Sequence, residues 1–206
     1  MHFMKEKDLV IFDLDGVLID SKLNMEHAWN KVQKKANVEV KFEEYFKHIG
    51  IPFEDILEKI GIETNSKNIK KIFMTSSLRA IKKISFFKDT ISILQTIKDA
   101  GKKIAIVTSK DETRTKSMVA NLPEFDFISC PNSFLRGKPC PDHLLYTLAK
   151  CNCDPDRAIY IGDMSVDKEA AERANVDFLF AAWGYGEIRN CDSVYEFKDL
   201  LTYLNV

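Results

Sequence analysis

The sequence predicts an α/β protein: a doubly wound parallel sheet with a small all-helical unit inserted after its first strand. Three observations point there. From about residue 102 onward, short β-branched runs alternate with helix-period segments, and such strand–helix units build a parallel sheet covered on both faces. Near the start, the apolar run Leu9-Val10-Ile11-Phe12 stops at Asp13-Leu14-Asp15-Gly16, as in open α/β sheets that deliver site residues at strand ends. Between these regions about 65 residues have helical spacing and no convincing strand, too many for a loop.

In chain order, residues 9–12 read as the first strand. Residues 22–36, 42–48, 53–60 and 68–84 read as helices; in the last, Ile69, Ile72, Phe73, Ser76, Leu78, Ala80 and Ile81 fall mostly three or four apart, one face of a helix. Residues 22–86 are therefore expected to form a helical unit above the carboxyl end of the first strand, with 1–21 and 87–206 making the α/β core. Residues 89–100 read as a helix stopped by Gly101. A strand at 103–108 (KIAIVT) follows, then a helix at 111–121, a strand at 125–130 and a helix at 141–150 with Pro141 near its first turn. A strand at 158–161 ends at Gly162; a helix at 165–174, a strand at 178–182 and a closing helix at 193–204 complete the chain.

The bulk numbers narrow the function classes. With 206 residues, 45% of them hydrophobic, the chain can build one full core and a modest second unit. Lys plus Arg is 30 and Asp plus Glu 31, a net charge of -1, so no global basic field favours a nucleic-acid polymer. No apolar run approaches the roughly 20 residues of a membrane-spanning helix. Residues 1–8 are polar with charges of both signs, unlike a secretory signal; a soluble, cytoplasmic protein is expected. The five cysteines (130, 140, 151, 153 and 191) are odd in number and irregularly spaced, which argues against a disulfide framework. Cys151 and Cys153 lack a second pair at zinc-ligand spacing, so free thiols in a reducing compartment are expected.

Four groups of polar residues recur at strand ends. Asp13 and Asp15 sit two apart, so in extended chain they point the same way. Two carboxylates at one mouth are costly unless a cation or reacting group uses them, and Gly16 allows the chain to bend away. Thr108-Ser109 follow the strand at 103–107, Lys138 precedes Pro139 and Pro141, and Gly162-Asp163 with Asp167 follow the strand at 158–161. Each group has a plain structural reading too: a helix cap for Thr108-Ser109, a surface lysine, a turn aspartate, an exposed helix face. Together they supply carboxylates, hydroxyl donors and a cation, the parts a phosphoryl group needs.

At DLDGVLIDS (13–21), IVTSK (106–110), GKPCPD (137–142) and IGDMSVD (161–167) the chain resembles the haloacid dehalogenase superfamily, in its phosphatase branch with a helical cap. All four motifs occur in order, and the similarity spans essentially the whole chain, most closely with phosphoglycolate-phosphatase-like and β-phosphoglucomutase-like members. The resemblance implies a Rossmann-like core and a Mg²⁺-dependent phosphatase of a small phosphorylated metabolite such as a sugar, glycolate or nucleotide phosphate. It implies Asp13 as nucleophile, forming an aspartyl phosphate, and Asp15 as general acid then base. Thr108 and Ser109 would bind phosphoryl oxygens, Thr108 foremost, and Lys138 would neutralise charge. Mg²⁺ would be held by the Asp13 side chain, the Asp15 backbone carbonyl and Asp163, with Asp167 ligating directly or through water. Asp15 is also the residue that separates phosphatases from dehalogenases in this family. Asp20 and Ser21 are expected to form the hinge and cap the first inserted helix.

The chain departs from relatives at two places. Phe86-Phe87-Lys88-Asp89 lacks the Pro-Gly turn often found at the second hinge. The catalytic His of β-phosphoglucomutases would fall at Met25; His27 and Trp29 only echo that segment, and Trp29 reads as core with His27 on the surface. A phosphosugar mutase with the same aspartyl-phosphate chemistry is thus the second reading, and an inactive phospho-ligand-binding module the third. Tyr45, His48, Phe53 and Arg79 are the polar or aromatic cap residues that could face a substrate, with packing or surface roles as the alternative.

Overall fold

The computed structural model describes residues 6–206, so residues 1–5 of the polar start lie outside the described residues. The first elements of the described residues are β1 (Leu9–Phe12) and β2 (Ile19–Asp20), then α1 (Lys22–Ala36), α2 (Phe42–Phe46), α3 (Phe53–Lys59), α4 (Ser66–Arg79) and β3 (Ser85–Phe86). It continues with α5 (Thr90–Asp99), β4 (Lys103–Val107), α6 (Glu112–Val119), β5 (Phe127–Ser129), α7 (Asp142–Cys151) and β6 (Ala158–Gly162). α8 (Ser165–Ala174), β7 (Asp177–Ala181), β8 (Ser193–Val194) and α9 (Asp199–Leu204) complete it.

All four residues of β1 are fully buried, and a strand without a polar face has to lie inside a sheet covered on both sides. β1 pairs in parallel with β4 and β6, and the full order is β5-β4-β1-β6-β7-β8. Strand residues alternate between faces. Val10 and Phe12 pack with Ile93, Leu94 and Ile97 of α5, Met118 of α6 and Leu200 of α9. Leu9 and Ile11 pack with Leu144 and Leu148 of α7 and the alanines of α8. The chain winds outward from β1 first to β5 and then to β8, so the strand order reverses beside β1. The crevice at the carboxyl ends of β1, β4 and β6 is where open sheets of this kind place a site.

α1 to α4 close a separate apolar cluster over this crevice. Trp29 is its centre: fully buried, stacked on Tyr45 at 4.4 Å between ring centroids, edge-on to Phe73 at 6.5 Å, its Nε1–H donating to Val40 O at 2.9 Å. Buried Asn24 ties α1 to the end of α4 by donating to Ser77 O and Ala80 O, 2.9 Å each. The helical unit is joined to the core through an antiparallel pair, Ile19 opposite Phe86 and Asp20 opposite Ser85.

Several expectations need correction. The closing helix read at 193–204 is a strand followed by a shorter helix: Ser193 pairs with Phe180, and Phe197 turns inward to stack on Phe12 with centroids 6.2 Å apart. The segment read as strandless holds β3 at its end, and β2 lies just before it; strands of two residues are too short to leave a periodic trace. The helix read at 68–84 ends at Arg79, followed by a 3-10 turn, Ile81–Lys83. Ser21 sits at the N-cap position of α1, but its hydroxyl donates to Asp15 Oδ1, and it is the Asp20 carboxylate that accepts from the Lys22 N–H, at 3.1 Å. At the second hinge, Asp89 adopts φ +62° to turn into α5. All five cysteines are free thiols, and no helix of the described residues is long and apolar enough to cross a membrane.

Candidate active site

Asp13 follows β1 directly, its N–H donating to Ile161 O at 2.8 Å, with its side chain almost wholly buried. Lys138, also buried, reaches across from the loop before α7. Its Nζ lies 2.9 Å from Asp13 Oδ1, 2.6 Å from Asp167 Oδ1 and 3.2 Å from the Tyr160 hydroxyl. Asp163, after β6, is fully buried; Oδ2 accepts from the Tyr185 N–H at 2.7 Å, while Oδ1 has no hydrogen-bond partner among the described residues. The carboxylates of Asp13, Asp163 and Asp167 offer ligand atoms within 4.8 Å of one another.

Three buried acids against one ammonium leave an excess of negative charge. Burial pushes the Asp13 carboxyl up to about 7, against the pull of Lys138 and with help from Asp167 and Asp15. Burial, then Asp167 and Asp13, holds Asp163 well above the usual carboxylate range. Burial works against the Lys138 ammonium, but Asp13 and Asp167 overcome it and hold its pKa above the ordinary lysine value. An orphaned buried oxygen calls for an explanation, and a cluster of hard carboxylate oxygens fits a divalent cation such as Mg²⁺. The backbone is shaped for Asp163: Gly16 has φ +85°, and a Cβ there would lie 2.1 Å from Asp163 Oδ2, while one on Gly184 would lie 2.3 Å from Asp163 Cβ. Asp167 differs from its neighbours, since Lys138 and the Tyr160 hydroxyl (3.0 Å) take Oδ1 and the Met164 N–H (3.0 Å) takes Oδ2.

The Asp15 side chain stands apart from this cluster. Its Oδ1 faces Lys110 Nζ at 3.0 Å and accepts from Ser21 Oγ. The two acids of the first motif are therefore met by different cations, and Oδ2 of each has no donor among the described residues. Thr108 is held at the end of β4 by its N–H to Ser129 O at 3.1 Å; its Oγ1 accepts from the Lys110 N–H at 3.1 Å, which leaves its O–H to donate. Ser109 is different: its hydroxyl donates to Gly50 O of the helical unit at 2.7 Å.

Asp13, Asp15, Thr108, Ser109 and Lys138 line one cavity of about 60 Å³, with Asp163 and Asp167 behind its wall. The helical unit closes it with an apolar face that includes Met25, Tyr45, Phe53 and Phe73. Of the four cap residues singled out by chemistry, Tyr45 and Phe53 reach the cavity. His48 instead lies 3.8 Å from Glu44, and Arg79 borders a separate groove on α4. Trp29 is core, while His27 is half-buried on α1 and does not line the cavity. The loop bearing Gly50 and Pro52 comes so close to Gly137 that a Cβ there would lie 2.3 Å from Pro52 Cγ.

Sequence reasoning missed Lys110, Arg114, Tyr160 and Tyr185. Lys110 follows Thr108-Ser109 directly and was within reach of that motif. Arg114 reads from sequence as an ordinary surface partner of Asp111 three residues earlier. Tyr185 lies in the Gly184-Tyr185-Gly186 loop after β7, a further strand end whose glycines were the available signal. The buried Tyr160 gives no signal beyond an apolar strand.

A model of haloacid dehalogenase-like hydrolases matches residues 10–181. The chain belongs to that family. Among haloacid dehalogenase-like relatives, the phosphoglycolate phosphatase of Aquifex aeolicus is 30% identical over 191 residues, 88% of this chain and 88% of that one. A pyrophosphatase of Oceanobacillus iheyensis is 24% identical over 204 residues, 94% of each chain. A solved protein from Lactobacillus plantarum shares the fold with a TM-score of 0.88 over 96% of this chain and 99% of that one, at 21% identity. This haloacid dehalogenase-like hydrolase therefore sits on the phosphoglycolate-phosphatase-like branch and is an enzyme of the phosphatase kind.

Proposed function

We propose that the chain is a Mg²⁺-dependent phosphatase of a small phosphorylated metabolite that works through an aspartyl phosphate on Asp13. The observation that carries this reading is convergence: Asp13, Asp15, Thr108 and Lys138 arrive from two strand ends and one loop on a single small cavity. Lys138 fixes Asp13 through Oδ1 and leaves Oδ2 to attack phosphorus. The Thr108 hydroxyl holds a phosphoryl oxygen. As the bond from phosphorus to the leaving oxygen breaks, Asp15 gives that oxygen a proton; it then takes one from the water that attacks the phosphorus of the aspartyl phosphate, releasing phosphate and restoring Asp13.

Asp13, the Asp15 carbonyl and Asp163 would hold Mg²⁺, with Asp167 behind them. When bound, the ion supplies positive charge that lets an anionic carboxylate approach an anionic phosphoryl group. Because both Asp167 oxygens are already engaged, its part is to position Lys138 and add charge, with any ligation through water. The Ser109 hydroxyl serves as a tie between core and helical unit, so phosphoryl binding by Ser109 falls to its backbone N–H. Residues 22–86 act as a cap, and their apolar wall excludes bulk water.

A cavity of about 60 Å³ suits a small leaving group and not a polymer. Phosphoglycolate and pyrophosphate, named for the relatives above, are the first substrates to test, beside sugar and nucleotide monophosphates. Met25 lines the cavity with an unionisable thioether at the position where a mutase would need its histidine, so hydrolysis is favoured over mutase chemistry. The reaction is expected in the cytoplasm. In a phosphate-release screen with Mg²⁺, some member of the panel should be hydrolysed and Asp13→Asn should abolish release. Full activity in Asp13→Asn would refute the mechanism.

A further inference from the structure

Arg114, in the first turn of α6, is buried to 4% exposure and lines the same cavity. Its surroundings do not use all of its donors. Nε is paired with Asp111, and Nη1 reaches Ser77 Oγ of α4 only at 3.5 Å. The guanidinium lies 5.5 Å from the centroid of the Phe73 ring. Nη2 donates to nothing among the described residues. A guanidinium has five donors and no way to lose its charge, and one whose unpaired nitrogen opens on a cavity is placed to meet an anion there.

A second donor lines the same cavity. Tyr45 is 3% exposed, its ring 5.4 Å from Phe73 and 4.4 Å from Trp29, and its hydroxyl has no partner among the described residues. Every other residue that the helical unit contributes to the cavity wall is apolar or glycine. The other two cations of the cavity already have carboxylates inside it: Lys138 faces Asp13 and Lys110 faces Asp15. The partner of Arg114, Asp111, has a side chain 36% exposed and is not part of the wall. Arg114 is thus the cation whose open side is turned to whatever lies between the phosphoryl-binding floor and the cap.

The geometry points to Arg114, with the Tyr45 hydroxyl on the same wall, as the receptor for a second anionic oxygen group on the substrate. That group is carried by the part of the molecule that leaves. The inference rests on the phosphatase reading of this cavity and narrows its substrate class to phosphate esters or anhydrides bearing a nearby carboxylate or second phosphoryl group. A planar guanidinium is suited to either, since both present paired oxygens to its fork.

Non-hydrolysable ligands test it without turnover. In calorimetric titrations of the full chain with Mg²⁺, phosphonoacetate or methylenediphosphonate should bind at least about tenfold more tightly than ethylphosphonate, the gain expected from one charged hydrogen-bond pair. Tight binding of the first alone assigns a carboxylate and of the second alone a phosphoryl group; either supports the inference. Arg114→Met should bring the ratio of dissociation constants to within about threefold, and Arg114→Lys should restore part of it. A wild-type ratio near one, or a ratio unchanged in Arg114→Met, overturns the inference and makes Arg114 a structural tie between α6 and α4. Phosphate release from 4-nitrophenyl phosphate, lost in Asp13→Asn, reads the phosphatase activity separately, so either reading can fail alone.

Discussion

Thr108 and Ser109 are neighbours in sequence with the same functional group, yet the structure gives them different partners. Successive residues at a strand end face opposite ways; the Thr108 O–H is left to the cavity, while the Ser109 hydroxyl crosses to Gly50 O. Thr108→Val should therefore lower kcat by about 100-fold or more, the usual loss of a donor to developing negative charge. Ser109→Ala removes a cap contact worth about 1 kcal/mol and should change KM more than kcat, by less than about tenfold. Steady-state kinetics of both variants on one ester decide the matter, and equal losses in kcat would contradict it. The motifs were legible in the sequence because Asp13, Thr108 and Asp163 stand just after apolar runs. The direction of each hydroxyl was not legible, because it depends on a loop about sixty residues away. Arg114 was hidden for a related reason: its ion pair is local and looks like any exposed helix pair, and only the placement of Phe73 and Ser77 over it reveals that it is buried.

At the scale of elements, the helices with a clear apolar stripe were read most closely. α1 and α8 match the residues 22–36 and 165–174 expected from sequence, and both stop where an asparagine, Asn37 or Asn175, takes the left-handed conformation. What failed were elements whose existence depends on a distant partner: β2 and β3 pair with each other across the whole helical unit, and β8 exists because β7 lies beside it. Trp29 shows how one element shapes the site. It carries Tyr45 and Phe73, which line the cavity, on its two aromatic contacts. Trp29→Ala should destabilise the protein by about 3–5 kcal/mol, the range for truncating a buried large aromatic residue, and should lower activity although the ring touches no reacting group. Urea unfolding monitored by circular dichroism measures it; a loss below about 1 kcal/mol would show that the cap cluster does not depend on this ring.

For the whole molecule, the parallel sheet brings three strand ends together beside β1, and that position concentrates negative charge as well as chemistry. Asp163 is held well above its ordinary pKa by burial and by its acidic neighbours. A carboxyl whose folded pKa is raised stabilises the fold only while protonated, so at neutral pH without a cation it works against folding. Asp163→Asn should accordingly raise the metal-free melting temperature, by about 2–4 °C for each kcal/mol relieved in a chain of this size, and should abolish the rise that Mg²⁺ produces in the wild type. A Mg²⁺-induced rise of the same size in Asp163→Asn would remove Asp163 from the metal site. A rapid acid quench during turnover of an ester labelled in its phosphoryl group tests the aspartyl phosphate itself. Label is expected on the peptide containing Asp13, released by hydroxylamine as an acyl phosphate is, and absent from Asp13→Asn; turnover with no labelled protein, or label that persists in Asp13→Asn, would rule out Asp13 as the nucleophile.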